Sequence, residues 1–190
     1  APDRLRAMEE TIELSKRLWT GDGVDYDGEY YTVDGAVCRP RPVQEPHPPI
    51  MIGGGGEEFT LRITAKHADE WNYWGPTSVM ERKLDVLASH CETYGTSFEE
   101  IDISWFTRCL IRESDAAVEQ LLDDAPRFRD PDDDDPLSEY HNLIGTPAEI
   151  AADIERFAAL GVDEIDLEFV DFPDTRGMEL FADDVIPAVG

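Results

Sequence analysis

The sequence predicts an α/β fold built on a parallel sheet. From Ile50 onward, segments of strand composition alternate with helical segments four times, which is typical of parallel strands covered by helices. No dinucleotide-binding glycine fingerprint and no internal repeat is visible. A (β/α)8 barrel, or part of one, therefore competes with an open sheet. The 190 residues fall short of the about 250 residues that a complete barrel typically needs.

The first 49 residues precede this alternation. Apolar residues at helical spacing predict a helix over residues 1–20, and Gly21-Asp22-Gly23 ends it. Residues 21–49 are expected to form a short hairpin followed by an extended connection. Five prolines between Arg39 and Pro49 exclude a helix or a central strand there.

Residues 50–190 contain the four strand–helix units, and we treat residues 1–190 as a single partial domain. The clearest helix start is Thr146, which can cap the helix while Glu149 returns a hydrogen bond. An acidic loop is predicted at 125–140, where the run Asp130–Pro136 breaks all periodicity. A calcium site is the alternative there, although the spacing of an EF-hand is absent. The predicted strands are 50–52, 69–74, 101–111 and 163–170, and the predicted helices are 57–67, 77–94, 113–124, 146–160 and 175–185.

The chain is strongly acidic, with 43 acidic against 16 basic residues and a net charge of −27. Only Lys16, Lys66 and Lys83 are lysines. This bias resembles that of halophilic archaea, whose concentrated salt screens such charge to within about 3 Å at 1 M. The chain has no basic stripe, so nucleic acid is excluded as an expected partner.

The spacing of the cysteines and the hydropathy of the chain further restrict the class of protein. Cys38, Cys91 and Cys109 are far apart and lack CxxC spacing, so we expect no disulfide framework, no zinc knuckle and no other metal site. The start at Ala1–Arg4 has no apolar signal region, and no apolar run approaches the roughly 18 residues of a membrane span. The expectation is a cytoplasmic protein with no membrane partner.

The run Gly53–Gly56 is the main candidate binding motif. It lies between the strand-like Ile50–Ile52 and a helical stretch from Glu57, so it would bring bare N–H groups and the positive end of a helix dipole to one point. Such a point suits a phosphate; the alternative is a flexible turn. The run matches neither a Walker loop nor a Rossmann fingerprint.

An ordered set of motifs over most of the chain resembles the luciferase-like monooxygenase family, and within it the branch that uses the deazaflavin coenzyme F420. The motifs are Leu18–Gly21, Tyr26–Tyr31, Pro40–Gln44, Pro49–Gly54, Ala68–Asn72, Ile144–Glu149 and Gly161–Glu164.

The resemblance implies the C-terminal half, strands 5–8, of a (β/α)8 barrel of the luciferase-like type, with residues 1–20 as the helix before strand 5. It implies hydride transfer between a small-molecule substrate and coenzyme F420. The first alternative is an FMN-dependent monooxygenase. The second is a non-catalytic half-barrel that serves as a binding or assembly module. No catalytic residue can be named. We expect either a homodimer or completion by an N-terminal half that this chain does not contain.

The resemblance also favours the phosphate interpretation of the glycine run. Gly54, Gly55 and Gly56 would donate backbone N–H groups to the cofactor phosphate, and Gly53 would make the turn. Asn72 and Trp74 end the next strand and should reach the same face. The alternative for that pair is that Trp74 packs and Asn72 caps a turn.

Other polar residues have structural alternatives. His67 and His90 fall on helices that should face outward, whereas His141 would lie near the catalytic face unless it is a surface histidine. The strictly alternating Glu164, Asp166 and Glu168 could do acid–base chemistry or form a structural network. We expect Arg108 to pair with Asp166 or Glu168 in the barrel interior.

Overall fold

A computed structural model describes residues 2–75, 79–124 and 142–189 of the chain. The strands in these ranges are β1 (Val24–Asp27), β2 (Thr32–Ala36), β3 (Met51–Gly53), β4 (Glu70–Tyr73), β5 (Asp102–Ile111), β6 (Leu143–Gly145) and β7 (Glu164–Phe169). The α-helices are α1 (Pro2–Thr20), α2 (Thr60–His67), α3 (Met80–Tyr94), α4 (Asp115–Asp124), α5 (Pro147–Ala159), α6 (Arg176–Leu180) and α7 (Ile186–Val189). A 3₁₀ turn at Phe98–Glu100 precedes β5, and a π-helical turn at Phe181–Val185 joins α6 to α7.

The order of elements agrees with the sequence prediction, with two differences. β6 is a further strand beyond the four strand–helix units, at a segment whose Leu143-Ile144 has strand-like composition. Helix α2 begins at Thr60 and not directly after the glycines. The N–H of Leu61 donates to Gly56 O over 3.0 Å, so the residues between them form a wide turn. The predicted acidic loop at 125–140 lies outside the described residues.

The larger sheet is parallel and has β5 at its centre. Its strand order is β3-β4-β5-β6, and β7 also pairs with β5. Cys109 lies opposite both Leu143 of β6 and Phe169 of β7, so these two strands flank β5 on opposite edges. In a parallel sheet the carboxyl ends of the strands meet at one edge, where α/β enzymes bind their ligands. The predicted α/β fold with a parallel sheet is confirmed.

The described chain divides into two compact units. Unit 1 contains Ala1–Ile52, Gly56–Glu70 and Val86–Ile101, and unit 2 contains Gly53–Gly55, Trp71–Asp85 and Asp102–Gly190. That residues 1–190 form a single domain stays a prediction.

In unit 1, the β1–β2 hairpin is attached to α1 by one carboxylate. Glu10 accepts hydrogen bonds from the N–H groups of Glu29 and Tyr30, at 2.7 and 2.9 Å. Helix α2 supplies the buried apolar side chains Leu61 and Ile63, both 0% exposed. The chain between Gly21 and Thr32 is therefore tied to α1 by charge-assisted bonds to backbone, which are stronger than neutral ones.

In unit 2, one face of β5 is completely covered. Its alternate residues Ile103, Trp105, Thr107, Cys109 and Ile111 are all buried. The Trp105 ring stacks on Phe157 of α5 with centroids 3.8 Å apart. Because side chains alternate across a strand, Ser104, Phe106 and Arg108 are left on the opposite face.

Helix α5 begins with the predicted cap. The N–H and the hydroxyl of Thr146 both donate to Glu149 Oε2, each at 2.8 Å. These two hydrogen bonds lower the pKa of Glu149. The sequence interpretation of this helix start is confirmed.

All three cysteines are free thiols, and two are in the cores. Burial, with a smaller contribution from the Asp171 carboxylate, raises the pKa of Cys109 to about 12. No helix within the described ranges combines the length and the apolar content that a bilayer span requires.

A buried ion pair lies at the carboxyl end of β5. Arg112 Nη1 contacts Asp171 Oδ2 at 2.8 Å, and their side chains are 9% and 8% exposed. The same Nη1 donates to Ile111 O at 2.7 Å.

We expect Arg112→Met to lower the free energy of unfolding by about 3 kcal/mol, because it leaves the Asp171 carboxylate buried without its partner. Urea denaturation measures this effect. The matched control is Arg156→Met, since the Arg156–Asp153 pair holds an arginine that is 75% exposed, and it should change stability little. Equal effects of the two substitutions would contradict the prediction.

Candidate functional site

Polar side chains of three neighbouring strands share the face of the sheet opposite the one that carries Trp105. The β5–β7 register places Asp166 opposite Phe106 and Glu168 opposite Arg108. Asn72 reaches the same place from β4 through the contacts described next. We call this set the inner polar cluster: Asn72, Ser104, Arg108, Asp166 and Glu168.

Asn72 holds one carboxylate of the inner polar cluster in position. Its Nδ2 donates to Asp166 Oδ2 and to Ser104 Oγ, both at 2.9 Å, and Ser104 is 0% exposed. Asn72 lies within β4 and its amide group bridges β5 and β7, and its cofactor role stays a prediction. One half-buried amide thus orients an acidic side chain on the sheet.

Arg108 holds the other carboxylate. Its Nε donates to Glu168 Oε2 at 3.0 Å, and its guanidinium lies 5.0 Å from the ring centroid of Trp74. Trp74 also meets Phe106 edge to face, with centroids 5.3 Å apart. The predicted pairing of Arg108 is confirmed, with Glu168 as the partner. Trp74 packs against Phe106 and Arg108, which agrees with the alternative that this residue has a packing role. Its role in cofactor binding stays a prediction.

A cleft of about 450 Å³ adjoins the inner polar cluster along β7. Its polar walls are the Arg108 and Glu168 side chains, which therefore face a space large enough for a small molecule. The remaining lining residues are Leu167, Phe169, Val170, Phe172 and Met178.

The first half of the glycine run is part of the sheet. Gly53 is the last residue of β3, and Gly54 has a φ of +116°, which favours glycine. The N–H of Gly54 donates to Asn72 O at 3.0 Å, and Gly54 O accepts from Trp71 Nε1 at 2.8 Å. Because its N–H is used in this way, Gly54 does not offer it to a phosphate.

The second half of the run presents backbone N–H groups. Within the ranges the structure describes, the N–H groups of Gly55 and Gly56 form no hydrogen bond. A Cβ at Gly55 would lie 2.8 Å from Tyr73 Cε2 and 3.1 Å from Lys83 Cε, so the backbone comes close to both side chains. The predicted phosphate binding by Gly53, Gly54, Gly55 and Gly56 stays a prediction.

Lys83 is the site residue that sequence reasoning missed. Its Nζ donates to Gly55 O at 2.6 Å and lies 5.6 Å from the Tyr73 ring centroid. The contact joins α3 to a loop far from it in sequence, so helix periodicity could not reveal it. A signal existed in the composition, because only three lysines occur in the chain.

Two of the histidines named in the sequence analysis lie in unit 1. His90 Nε2 is 2.9 Å from Glu57 O, and His67 is the last residue of α2. His141 falls outside the described residues, so its predicted place near the catalytic face stays a prediction.

Parallel strands that alternate with helices along the chain are the architecture of an α/β barrel or of part of one. A comparison with protein families identifies the family to which the chain belongs. The sequence model of the family "Luciferase-like monooxygenase" matches residues 1–164, and the chain belongs to this family.

Two solved structures and one curated relative illustrate the likeness. The chain is 26% identical to an FMNH(2)-dependent dimethylsulfone monooxygenase of Pseudomonas putida, in an alignment covering 98% of this chain and 59% of that protein. It superposes on the coenzyme F420 dependent tetrahydromethanopterin reductase of Methanopyrus kandleri with a TM-score of 0.77, 19% identity and coverage of 98% and 64%. The long-chain alkane monooxygenase LadA gives a TM-score of 0.80, 15% identity and coverage of 98% and 56%. The chain thus spans less than two thirds of these proteins and is a partial barrel.

The close approach of the Gly55 backbone to Tyr73 can be tested by substitution. We expect Gly55→Ala to destabilise the chain by about 1–3 kcal/mol, because the new Cβ would overlap the Tyr73 ring. Gly53→Ala is the matched control, since a Cβ there would have its nearest neighbour, Asn72 O, at 3.9 Å. Thermal unfolding followed by circular dichroism should show a lower Tm for the first variant only. A Gly53→Ala chain as unstable as Gly55→Ala would contradict this geometry.

Proposed function

We propose that the chain is the cofactor-phosphate-binding part of an oxidoreductase that transfers hydride between a small-molecule substrate and coenzyme F420. The observation that carries this proposal is the Gly55–Lys83 contact in a chain of the luciferase-like family. The loop there combines a backbone N–H that has no acceptor among the described residues with an ammonium group 2.6 Å from the neighbouring carbonyl.

The residues present fit a phosphate group. Because glycine has no Cβ, an anion can approach the backbone at Gly55, where any side chain would meet Tyr73. Lys83 would exchange Gly55 O for a phosphate oxygen, and hydrogen bonds to charged groups contribute roughly 1.5–3 kcal/mol. Gly53 and Gly54 would hold the loop against β4 and need not touch the anion.

The inner polar cluster would orient the substrate. Asn72 and Arg108 hold Asp166 and Glu168 in place through contacts of 2.9 and 3.0 Å, so both carboxylates are preorganised acceptors. Trp74 and Phe106 supply an apolar surface beside them. When bound, the deazaflavin supplies the hydride chemistry, and the protein supplies orientation and electrostatics.

FMN-dependent monooxygenation is the second candidate. It is favoured by the Pseudomonas putida relative, whose name states that it depends on FMNH(2). Both cofactors present a phosphate, so the same loop would serve either one.

Paired ligands with and without phosphate test the proposal. We expect FMN to bind at least about tenfold more tightly than riboflavin, since one charged hydrogen bond is worth about 1.4 kcal/mol or more. Coenzyme F420 should likewise bind more tightly than its deazaflavin chromophore without the phosphate-bearing chain. Fluorescence titration measures all four affinities, and the ratio between the two cofactors decides between the candidates.

Substitutions locate the phosphate in this experiment. Lys83→Met should remove most of the difference between FMN and riboflavin, because it removes the ammonium group from the loop. Arg156→Met removes one positive charge from an exposed position on α5 and should leave the difference unchanged. Equal affinities for FMN and riboflavin, and for coenzyme F420 and its chromophore, in the unaltered chain would contradict the proposed function.

We further propose that the open edges of the sheet are covered in the working enzyme. In the strand order of the described residues, β3 pairs with β4 and β7 with β5, so each ends the sheet on one side. The cover would be the rest of the barrel, in the same polypeptide or as a second copy of this chain. Exposed edges of parallel strands promote such pairing.

Intact mass and light scattering of the natural protein test this second proposal. We expect either a chain well above 21.4 kDa or a dimer of 21.4 kDa chains. A 21.4 kDa protein that stays monomeric at micromolar concentration would contradict it.

A further inference from the structure

The imidazole of His67 has an unexplained nitrogen. Its Nε2 is buried and has no hydrogen-bond partner among the described residues, and the side chain is 13% exposed. The nearest carboxylate oxygens are Glu9 Oε1 at 3.5 Å and Glu13 Oε1 at 4.0 Å. Leaving such a nitrogen without a partner costs roughly 1–3 kcal/mol, so a group that satisfies it would stabilise unit 1.

The two glutamates present one oxygen each to this nitrogen. They are four residues apart on α1 and therefore share one face of the helix. The other oxygen of each is held elsewhere: Arg62 donates to Glu9 Oε2 at 2.8 Å, and the Tyr26 hydroxyl donates to Glu13 Oε2 at 3.3 Å. Carboxylates that bind metal ions are typically oriented by such outer hydrogen bonds.

The spacing of the three atoms suits a metal ion. One ligand atom from each residue can be chosen so that all three lie within 4.8 Å of one another. Ligands about 2.0–2.2 Å from a tetrahedral zinc ion lie about 3.4 Å apart. The separation between His67 Nε2 and Glu9 Oε1 matches this value. Glu13, whose side chain is 39% exposed, has room for the small rotation that its oxygen needs.

We propose that Glu9, Glu13 and His67 bind a divalent transition-metal ion of the zinc type, with water in the fourth position. Imidazole together with carboxylate favours such an ion over calcium or magnesium, which take oxygen ligands. The site rests on α1 and α2 and does not depend on the proposed cofactor function.

The charged neighbours are compatible with this ion. Lys66 also contacts Glu9 Oε1, and its Nζ lies 5.5 Å from the Tyr94 ring centroid, so the ammonium keeps a partner when a metal ion takes that oxygen. Burial opposes ionisation of Glu9, but the hydrogen bonds from Lys66 and Arg62 outweigh it and lower the pKa of this carboxyl.

The position of the site indicates a structural role. His67 ends α2 and the two glutamates lie on α1, so all three ligands belong to unit 1. The metal ion would join α1 to α2 through three ligands. We expect this link to stabilise unit 1 by mass action.

Zinc binding measured by competition with a chromophoric chelator tests the proposal. About 1 M KCl and excess Mg²⁺ suppress diffuse binding to the many carboxylates. We expect one Zn²⁺ per chain, a rise in Tm on addition of Zn²⁺, and a visible Co²⁺ spectrum. Glu13→Gln and His67→Asn should each weaken Zn²⁺ binding at least about tenfold and abolish both the rise in Tm and the Co²⁺ spectrum.

His90→Asn is the matched control, because His90 lies in the same unit and its Nε2 contacts Glu57 O instead of a carboxylate. It should bind Zn²⁺ like the unaltered chain. If His67→Asn does not fold, Glu13→Gln decides, since Glu13 is half-exposed and glutamine keeps an acceptor for Tyr26. Zn²⁺ binding that is not saturable, or that is equal in the unaltered chain and Glu13→Gln, would overturn the proposal.

Discussion

The parallel register of β5 with its neighbours is the constraint on which the rest of unit 2 depends. Because β7 is aligned so that Glu168 lies opposite Arg108, one face of the two strands becomes polar and charged. The other face, with Trp105 stacked on Phe157, is covered by α5 and carries the core. A shift of one residue in β7 would exchange these faces, since side chains alternate with a period of two. The register therefore determines at once where the core lies and where a ligand could be held.

The few cations of this acidic chain lie where structure or binding needs them. Against 43 acidic residues there are 16 basic ones, so an unused cation is rare among the described contacts. Arg112 neutralises a buried carboxylate, Arg108 orients an exposed one, and Lys83 packs on the glycine run. The diffuse negative charge keeps the surface solvated, whereas these individual positive groups make specific contacts within the chain.

Local sequence patterns predicted the helices and strands well, but they predicted few of the contacts between them. The cap at Thr146, the order of strands and helices and the parallel sheet could all be predicted, because each depends on residues close together in the chain. The glycine run was placed correctly between β3 and α2. Its hydrogen bonds could not be predicted, since the N–H of Gly54 is used by Asn72, a residue of another strand.

By itself, the sequence determined the class of fold, the family and the strongly acidic composition, because composition, periodicity and ordered motifs are properties of the chain as written. Only the tertiary structure decided that Arg108 pairs with Glu168 while Asn72 binds Asp166. It also decided that His67 faces two carboxylates of α1. These contacts join residues distant in sequence, and their distances depend on strand register and helix packing, which no local pattern encodes.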